Sequence, residues 1–122
     1  MKVRDAMSAE PIALRETDSV LAGLKLLVRK SISGAPVVSS DSRLVGMVTE
    51  YDLLLAIDCV GEAFPIGKVM HKDVISVQAD ASLEEARYLI LTHNHRRLPV
   101  LDGDKLVGVL ARRDLLRVRL GL

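Results

Sequence analysis

Hydrophobic positions along the first half of the chain follow two different periods, and they predict five elements. A short apolar run at residues 12–14 predicts a strand. The helical spacing that follows, with Thr17 and Asp18 as candidate caps, predicts a helix whose apolar stripe comprises Val20, Leu21, Leu24, Leu27 and Val28. Two apolar runs joined by a polar turn predict a hairpin of residues 35–39 and 44–48, and residues 51–59 predict a closing helix.

The second half repeats this succession. Residues 74–77 predict a strand, and Ser82 with Glu85 has the spacing of a capping box before a helix with the stripe Leu83, Ala86 and Ile90. A hairpin of residues 98–101 and 106–110 follows, with Asp102-Gly103 as its turn dipeptide, and residues 113–120 predict the last helix. The order strand-helix-strand-strand-helix, found twice, predicts an α+β fold.

Residue-by-residue matches show that the chain is a duplication. Met7 matches Met70 and Leu26 matches Leu89, at an offset of 63 that becomes 62 after the hairpin turn. A register kept over a whole unit, with its one length change in a turn, is typical of an internal repeat. We therefore predict two domains, residues 1–60 and residues 61–122.

The stretch from Gly46 to Asp52 carries the most suggestive local chemistry. It leads from a strand into a helix, where a threonine hydroxyl and free amides favour an anion such as phosphate. Asp52, one turn into the helix, has two acceptor oxygens that suit a diol such as ribose. Thr49 and Asp52 also fit a simple helix cap, and the local sequence leaves both interpretations open.

The repeated motifs together resemble a tandem pair of CBS domains, known as a Bateman module. The resemblance rests on Pro36-Val37 and Pro99-Val100, on the two Leu-Val-Gly strands that end at Gly46 and Gly108, and on the Asp-Leu-Leu helices that start at Asp52 and Asp114. It covers nearly the whole chain. It implies two units packed by a pseudo-twofold into one compact module, with clefts between them that in this family often hold AMP, ADP, ATP or S-adenosylmethionine.

The family motif Gly-x-x-Thr/Ser-x-x-Asp implies ligand contacts for specific residues. The first copy keeps it whole in Gly46, Thr49 and Asp52, so the resemblance implies ribose and phosphate contacts there. The second copy keeps Gly108 and Asp114 but has Ala111, which lacks a hydroxyl. We expect Asp114 still to hold a ribose, with Arg112 or Arg113 replacing the lost donor or else forming a solvated face.

The resemblance also implies walls for a purine. These walls come from the first strand of each unit and the segment that enters the second strand, and some of their residues are expected to be simple core. The implied residues are Ile12, Ala13, Gly34, Ala35 and Pro36 in the first copy, and Ser76, Val77, Leu98 and Pro99 in the second.

A basic turn distinguishes the second copy from the first. His95, Arg96 and Arg97 resemble the turn by which some nucleotide-sensing members grip phosphate, and arginine's planar fork suits phosphate oxygens. From Arg87 to the end the chain has eight Lys and Arg against three Asp and Glu, a net of +5. We predict that this basic part faces the intact motif of the first copy across one phosphate-bearing ligand; an ordinary charged surface is the alternative.

Composition narrows the classes of function. A net charge of +1 and 2% aromatic residues do not favour nucleic acid as a partner. No apolar stretch is long enough to span a membrane and no leader is visible, so we expect a cytoplasmic protein. A single cysteine, Cys59, fits a reducing compartment. His93, His95 and Cys59 have no ligand spacing that predicts a metal site.

Three functions remain open on the sequence alone. The leading prediction is a regulatory module that senses an adenosine compound and controls an unidentified partner protein, with no required cofactor. The alternative is a structural or interaction module in which Thr49 and Asp52 only cap a helix. We do not expect an enzyme, because no catalytic constellation is present. The apolar run from Leu53 to Ile57 exceeds what one sheet can cover, so we also predict a homodimer.

Overall fold

The computed structural model describes residues 1–122, which form an α+β protein of four helices and two three-stranded sheets. Contacts divide the chain into two compact units. The first unit is Ile12–Val74, and the second unit combines Met1–Pro11 with Ile75–Leu122. Each unit therefore holds one complete copy of the predicted strand-helix-strand-strand-helix order.

The first unit contains one sheet, in the strand order β1-β2-β3, and two helices. Strand β1 is parallel to β2, whereas β2 and β3 form an antiparallel hairpin. Buried Leu14, Val37 and Leu53 belong to its core. The elements are β1 (Leu14–Arg15), α1 (Val20–Lys30), β2 (Gly34–Val38), β3 (Leu44–Thr49), α2 (Glu50–Cys59) and a 3-10 turn (Ile66–Lys68).

The second unit repeats this arrangement, with the sheet order β4-β5-β6. Its hairpin closes tightly, because Asp102 pairs with Lys105 and leaves Gly103, at φ +67°, in the turn. Val77, Ile90 and Leu98 belong to its core. The elements are a 3-10 turn (Val3–Asp5), β4 (Val77–Gln78), α3 (Leu83–His93), β5 (Arg97–Asp102), β6 (Lys105–Ala111) and α4 (Arg112–Leu120).

The boundaries of the two compact units differ from the boundaries of the sequence repeat. The amide and carbonyl of Met47 exchange two backbone hydrogen bonds of 2.8 Å with those of His71, which fastens the segment after α2 to strand β3. Ser8 exchanges two bonds of 3.0 Å with Val109 in the same way. Each unit therefore takes its helices and hairpin from one repeat and a short paired segment from the other repeat.

The two edge strands are shorter than predicted. The expected strands at residues 12–14 and 74–77 start only at Leu14 and Val77. In both sheets the pairing begins at the valine that follows a proline, with Leu14 opposite Val37 and Val77 opposite Val100. Proline has no amide hydrogen to donate to a ladder, so the parallel pairing does not extend past it.

Helix α1 also departs from its predicted cap and stripe. Ser19, rather than Thr17 or Asp18, is the N-cap, and its hydroxyl accepts a 3.1 Å bond from the Ala22 amide. The buried face comprises Val20, Gly23 and Leu27, whereas Val28 is 73% exposed. A Cβ at Gly23 would lie 2.7 Å from Ile66 Cδ1 and 3.0 Å from Leu53 Cδ1, so the glycine lets the 3-10 turn and α2 approach α1 closely.

Gly46→Ala is expected to destabilise the fold by about 1–3 kcal/mol, because a Cβ there overpacks the unit. It would lie 2.5 Å from the Met70 sulfur and 2.8 Å from the His71 carbonyl oxygen, and the latter belongs to the paired backbone. Gly108→Ala should cost a similar amount, since Met7 and Ser8 lie equally close. Urea unfolding measures both. A change below about 0.5 kcal/mol would contradict the packing argument.

Candidate functional site

Thr49 and Asp52 form a reciprocal cap at the start of α2. The Thr49 hydroxyl accepts a 3.2 Å bond from the Asp52 amide. Asp52 Oδ2 in turn accepts from the Thr49 amide at 2.9 Å and from the Thr49 hydroxyl at 2.8 Å. The spacing of the motif therefore produces the capping box that the sequence allowed, and it fixes the orientation of the carboxylate.

His71 is a third member of this cluster, and sequence reasoning missed it. Its Nε2 lies 3.0 Å from Asp52 Oδ1, and because a carboxylate only accepts, Nε2 carries the proton. The two residues are 19 positions apart. The one signal in the sequence was the match of Met7 with Met70, which marks the segment that pairs beside Gly46. Only the pairing of Met47 with His71 shows that this segment reaches the motif.

The surroundings keep Asp52 ionised. Burial raises the pKa of its carboxyl, but the hydrogen bonds from the Thr49 hydroxyl and amide, followed by the contact with His71, outweigh burial and hold the pKa below the ordinary value of an aspartate. The ionised carboxylate therefore contributes stability that is present above about pH 4 and is lost as pH falls through the lowered pKa. The side chain remains 16% exposed, so a negative charge stays accessible at neutral pH.

The donors expected at the start of α2 are already used within the unit. The Glu50 amide donates to the Ser33 carbonyl at 2.8 Å, and the Asp52 amide donates to Thr49. The Thr49 hydroxyl proton is directed to Asp52. The expectation of free amides here is therefore wrong for these two groups, because the capping box and the neighbouring turn satisfy them. Asp52 Oδ1, with His71 as its one partner, keeps an unused lone pair.

The other residues implied in the first copy are glycines, buried core residues and two partly exposed residues. The side chain that approaches Gly46 within the unit is Met70. Ala35 is 1% exposed and belongs to the core, and Pro36 is also buried. Ile12 and Ala13 are partly exposed and lie outside any strand. Ala35 and Pro36 could therefore contact a ligand only through their backbone groups.

The equivalent position in the second unit has a different set of partners. Asp114 Oδ2 accepts a 2.7 Å bond from the Ala111 amide, and Oδ1 lies 3.4 Å from Arg117 one turn further along α4. The Asp114 side chain is only 8% exposed. Ala111 supplies no hydroxyl, so the second motif keeps the backbone half of the cap and buries its carboxylate more deeply.

Arg112 holds the basic turn in place. Its Nε donates to the His95 carbonyl at 2.7 Å, and one Nη donates to the Asn94 carbonyl at 3.2 Å and to Asn94 Oδ1 at 2.9 Å. Asn94, at φ +54°, ends α3 in the left-handed conformation. The Arg112 side chain is therefore fully engaged by the turn. Of the two arginines expected to replace the missing hydroxyl of Ala111, only the exposed Arg113 remains as a candidate.

The side chains of the basic turn itself are exposed. The side chains of Arg96 and Arg97 have no hydrogen-bond or salt-bridge partner. His95 is held through its backbone, since its carbonyl accepts from Arg112 and its amide donates to the Ile90 carbonyl at 3.1 Å. The register places Arg97 directly opposite Ala111, the position that lacks the hydroxyl. The backbone of the basic turn therefore lies next to the incomplete motif, where the first unit has Ser33 and Gly34.

The remaining implied residues of the second copy are mostly core. Val77 is 4% exposed, Leu98 is 0% exposed, and Pro99 is buried, whereas Ser76 is partly exposed. No group of three or more His, Cys, Asp and Glu side chains is placed to hold a metal ion. No helix is both long enough and apolar enough to cross a bilayer.

The chain belongs to the CBS domain family. The family model matches residues 3–59 and residues 66–121, so two CBS domains account for almost all of the sequence. This confirms the resemblance that the duplicated motifs indicated. The α+β order of each unit is the one expected for a CBS domain pair.

Two solved structures resemble this chain along almost its entire length. CBSX2 of Arabidopsis thaliana, in complex with AMP, has a TM-score of 0.85 and 33% identity over 98% of this chain and 96% of its own. The CBS domain pair of protein MJ0100, in complex with 5′-methylthioadenosine and S-adenosyl-L-methionine, has a TM-score of 0.81 and 25% identity over 99% and 97%. CBS pairs similar to this chain thus bind adenosine compounds.

Relatives of known name include enzymes that contain a similar region. The inosine-5′-monophosphate dehydrogenase of Nitrosopumilus maritimus is 36% identical over 110 residues, which cover 89% of this chain. The chain spans 22%, 14% and 42% of the lengths of three curated relatives that it matches. In these three relatives the similarity is therefore confined to part of a longer protein.

Proposed function

We propose that this CBS pair is a regulatory module that binds an adenosine compound such as AMP, ADP, ATP or S-adenosylmethionine. The observation that carries the proposal is the accessible, ionised Asp52 carboxylate within the complete Gly46, Thr49 and Asp52 motif. The adenosine ligands of two similar CBS pairs support it.

In this proposal Asp52 takes the ribose. Oδ1 accepts one ribose hydroxyl through its unused lone pair. A second hydroxyl would compete with the single bond from His71, whose side chain is 64% exposed and free to turn away. Thr49 holds the carboxylate in position and keeps it charged. The unpaired Arg96 and Arg97 supply charge-assisted hydrogen bonds for phosphate.

We further propose that ligand binding controls a partner protein and that the chain forms a homodimer. Large apolar side chains are exposed on the helices of both units, including Leu54 at 62% and Leu116 at 58%. Exposed apolar patches of this kind mark protein interfaces. The family's occurrence within larger proteins, among them the dehydrogenase, supports a regulatory role for the region.

One observation favours the alternative, a structural or interaction module without a nucleotide. The capping box of Thr49 and Asp52 is complete and satisfies the local amides by itself. In that case the motif is explained by helix capping alone, which is worth about 1 kcal/mol of stability. The two proposals predict different results for a thermal-shift measurement.

A thermal-shift panel separates them. At a ligand concentration of a hundred times Kd, binding adds about 2.7 kcal/mol to stability, so we expect at least one of AMP, ADP, ATP and S-adenosylmethionine to raise Tm by several degrees. The protein is first unfolded and refolded to remove any ligand carried from expression, and guanosine nucleotides serve as the matched control. If none of these ligands raises Tm, the nucleotide-binding proposal is wrong and the structural or interaction module remains.

A further inference from the structure

The His71 ring contacts the one oxygen of Asp52 that is still open to a ribose. Asp52 Oδ2 already accepts two bonds from Thr49, one from its amide and one from its hydroxyl. A carboxylate oxygen has two lone pairs, so Oδ2 has none to spare. Oδ1 accepts from His71 Nε2 at 3.0 Å and keeps one lone pair. A ribose diol, which donates two hydrogen bonds, therefore competes with His71 for Oδ1.

The His71 backbone is fixed, whereas its side chain is able to move. The amide and carbonyl exchange bonds of 2.8 Å with Met47 on strand β3, so the residue stays beside Asp52 whether or not the ring contacts it. The ring is 64% exposed, and Asp52 is its hydrogen-bond partner. Rotation of the ring into solvent would free Oδ1 without a change in the fold. His71 can therefore cover and uncover Asp52 reversibly.

The strength of this contact depends on the charge of the ring. An ordinary histidine gains its proton near pH 6.5. The Asp52 carboxylate is ionised in that range, because its hydrogen bonds hold its pKa below the ordinary value of an aspartate. Protonation of the ring therefore adds a Coulomb attraction, which in a partly exposed pair changes an equilibrium constant by up to about fivefold. A ribose meets a stronger competitor at acidic pH than at neutral pH.

Asp52 is the one charged group that His71 contacts. Strand β3, which pairs with the His71 backbone, has no titratable side chain. The other charged or titratable groups near His71 are exposed and make no bond to it; they are Glu50 and Tyr51 on α2, Lys68 at the end of the 3-10 turn, and Lys72 and Asp73 on its own segment. Asp52 is therefore the group that responds when the ring gains a proton.

The second copy has no equivalent of this contact. Ser8 holds the place of His71, since it pairs with strand β6 as His71 pairs with β3. Asp114, the counterpart of Asp52, lies 3.4 Å from the Arg117 guanidinium. A serine hydroxyl and an arginine do not change their charge near pH 6.5. Any effect of protons through this position is therefore confined to the first copy.

We propose that His71 gates the Asp52 carboxylate and makes ligand binding depend on pH. Neutral His71 yields Oδ1 to the ribose, and protonated His71 holds Oδ1 and opposes the ribose. Affinity then falls as pH falls through the range near 6.5. The gate rests on the proposed function, because it requires a ribose at Asp52. In it His71 is a positioning residue that acts through Asp52 and makes no bond to the ligand.

Titration calorimetry with AMP at about pH 7.5 and about pH 5.5 tests the gate, with His71→Gln as the comparison. The glutamine amide can donate to Oδ1 but stays neutral at both pH values. On acidification AMP binding to the parent should weaken about three- to fivefold more than binding to the variant. The phosphate of AMP titrates in both experiments, so its own effect cancels. S-adenosylmethionine, which has the same diol and no phosphate, should show the same excess.

Two matched controls accompany this comparison. His93→Gln removes another exposed histidine, at the end of α3 in the second unit, and should keep the pH dependence of the parent. 2′-Deoxy-AMP donates one hydrogen bond in place of two and can share Oδ1 with the ring, so its excess should be smaller than that of AMP. The exposed ring of His71 makes no contact with the core that Gln would disturb, and Tm at both pH values checks the fold of each variant.

The outcomes separate the gate from the proposed function. Equal pH dependence in the parent and in His71→Gln would overturn the gate, while ligand binding itself would stand. A parent whose AMP affinity rises relative to the variant at acidic pH would also overturn the gate, because the protonated ring would then attract the phosphate. Binding of neither AMP nor S-adenosylmethionine at either pH would overturn the ribose site and the gate together.

Discussion

Asp52→Ala is expected to lower adenosine-ligand affinity by at least about tenfold, or 1.4 kcal/mol. The variant removes the partly exposed, ionised carboxylate that the Thr49 hydroxyl and amide hold in place. It also removes half of a helix cap, so stability should fall by about 1 kcal/mol whether or not a ligand binds here. Titration calorimetry at a temperature where the variant remains folded separates the two effects.

Asp114→Ala is the matched control for the second copy. Asp114 has the same place in its motif, but it lies deeper, it is bonded to Arg117, and it has no threonine beside it. We therefore expect this variant to spare high-affinity binding and to remove any weaker phase. Loss of the tight phase in Asp114→Ala with its retention in Asp52→Ala would reverse the proposed ranking of the two sites.

Thr49→Val and His71→Ala refine the same test. The valine keeps the shape of Thr49 but removes the hydroxyl that orients Asp52, so affinity should fall with Asp52 still present. Removing His71 frees Asp52 Oδ1 completely, and we expect affinity to stay equal or to rise. If all of these variants bind like the parent, the nucleotide site is not built on this motif.

Replacing Arg96 and Arg97 together with Ala is expected to weaken a charged nucleotide far more than adenosine. Both guanidinium groups are exposed and without partners, so the change should leave the fold intact. Each lost charge-assisted hydrogen bond costs about 1.5–3 kcal/mol, which would appear in AMP and ATP binding and not in adenosine binding.

The control for this double variant must remove the same charge elsewhere. Arg29→Ala with Lys30→Ala removes two exposed cations from the end of α1. It should alter AMP binding only through the weak, salt-screened field of the whole protein. Equal losses for adenosine and AMP in the Arg96 and Arg97 variant would show that these arginines act on the fold alone.

The repeated architecture follows from the amino-acid sequence alone. Hydrophobic spacing and turn residues located both closing helices and both hairpins to within one residue and indicated where the other two helices begin, because these elements depend on contacts between near neighbours in the chain. The same locality explains the capping box, since Thr49 and Asp52 are three positions apart on one helical turn. The motif and its internal geometry are therefore properties of the local sequence.

The distant segments that complete each unit are set by long-range pairing. Nothing local to His71 indicates that it reaches Asp52; the backbone pairing of Met47 with His71 brings it there. The same applies to Arg112, which the sequence offered as a phosphate donor and which instead holds the carbonyls of the basic turn. The length of the edge strands depended on the register of Pro36 and Pro99 against them. These features arise only in the folded protein, because hydrophobic periodicity does not encode which distant segments pair.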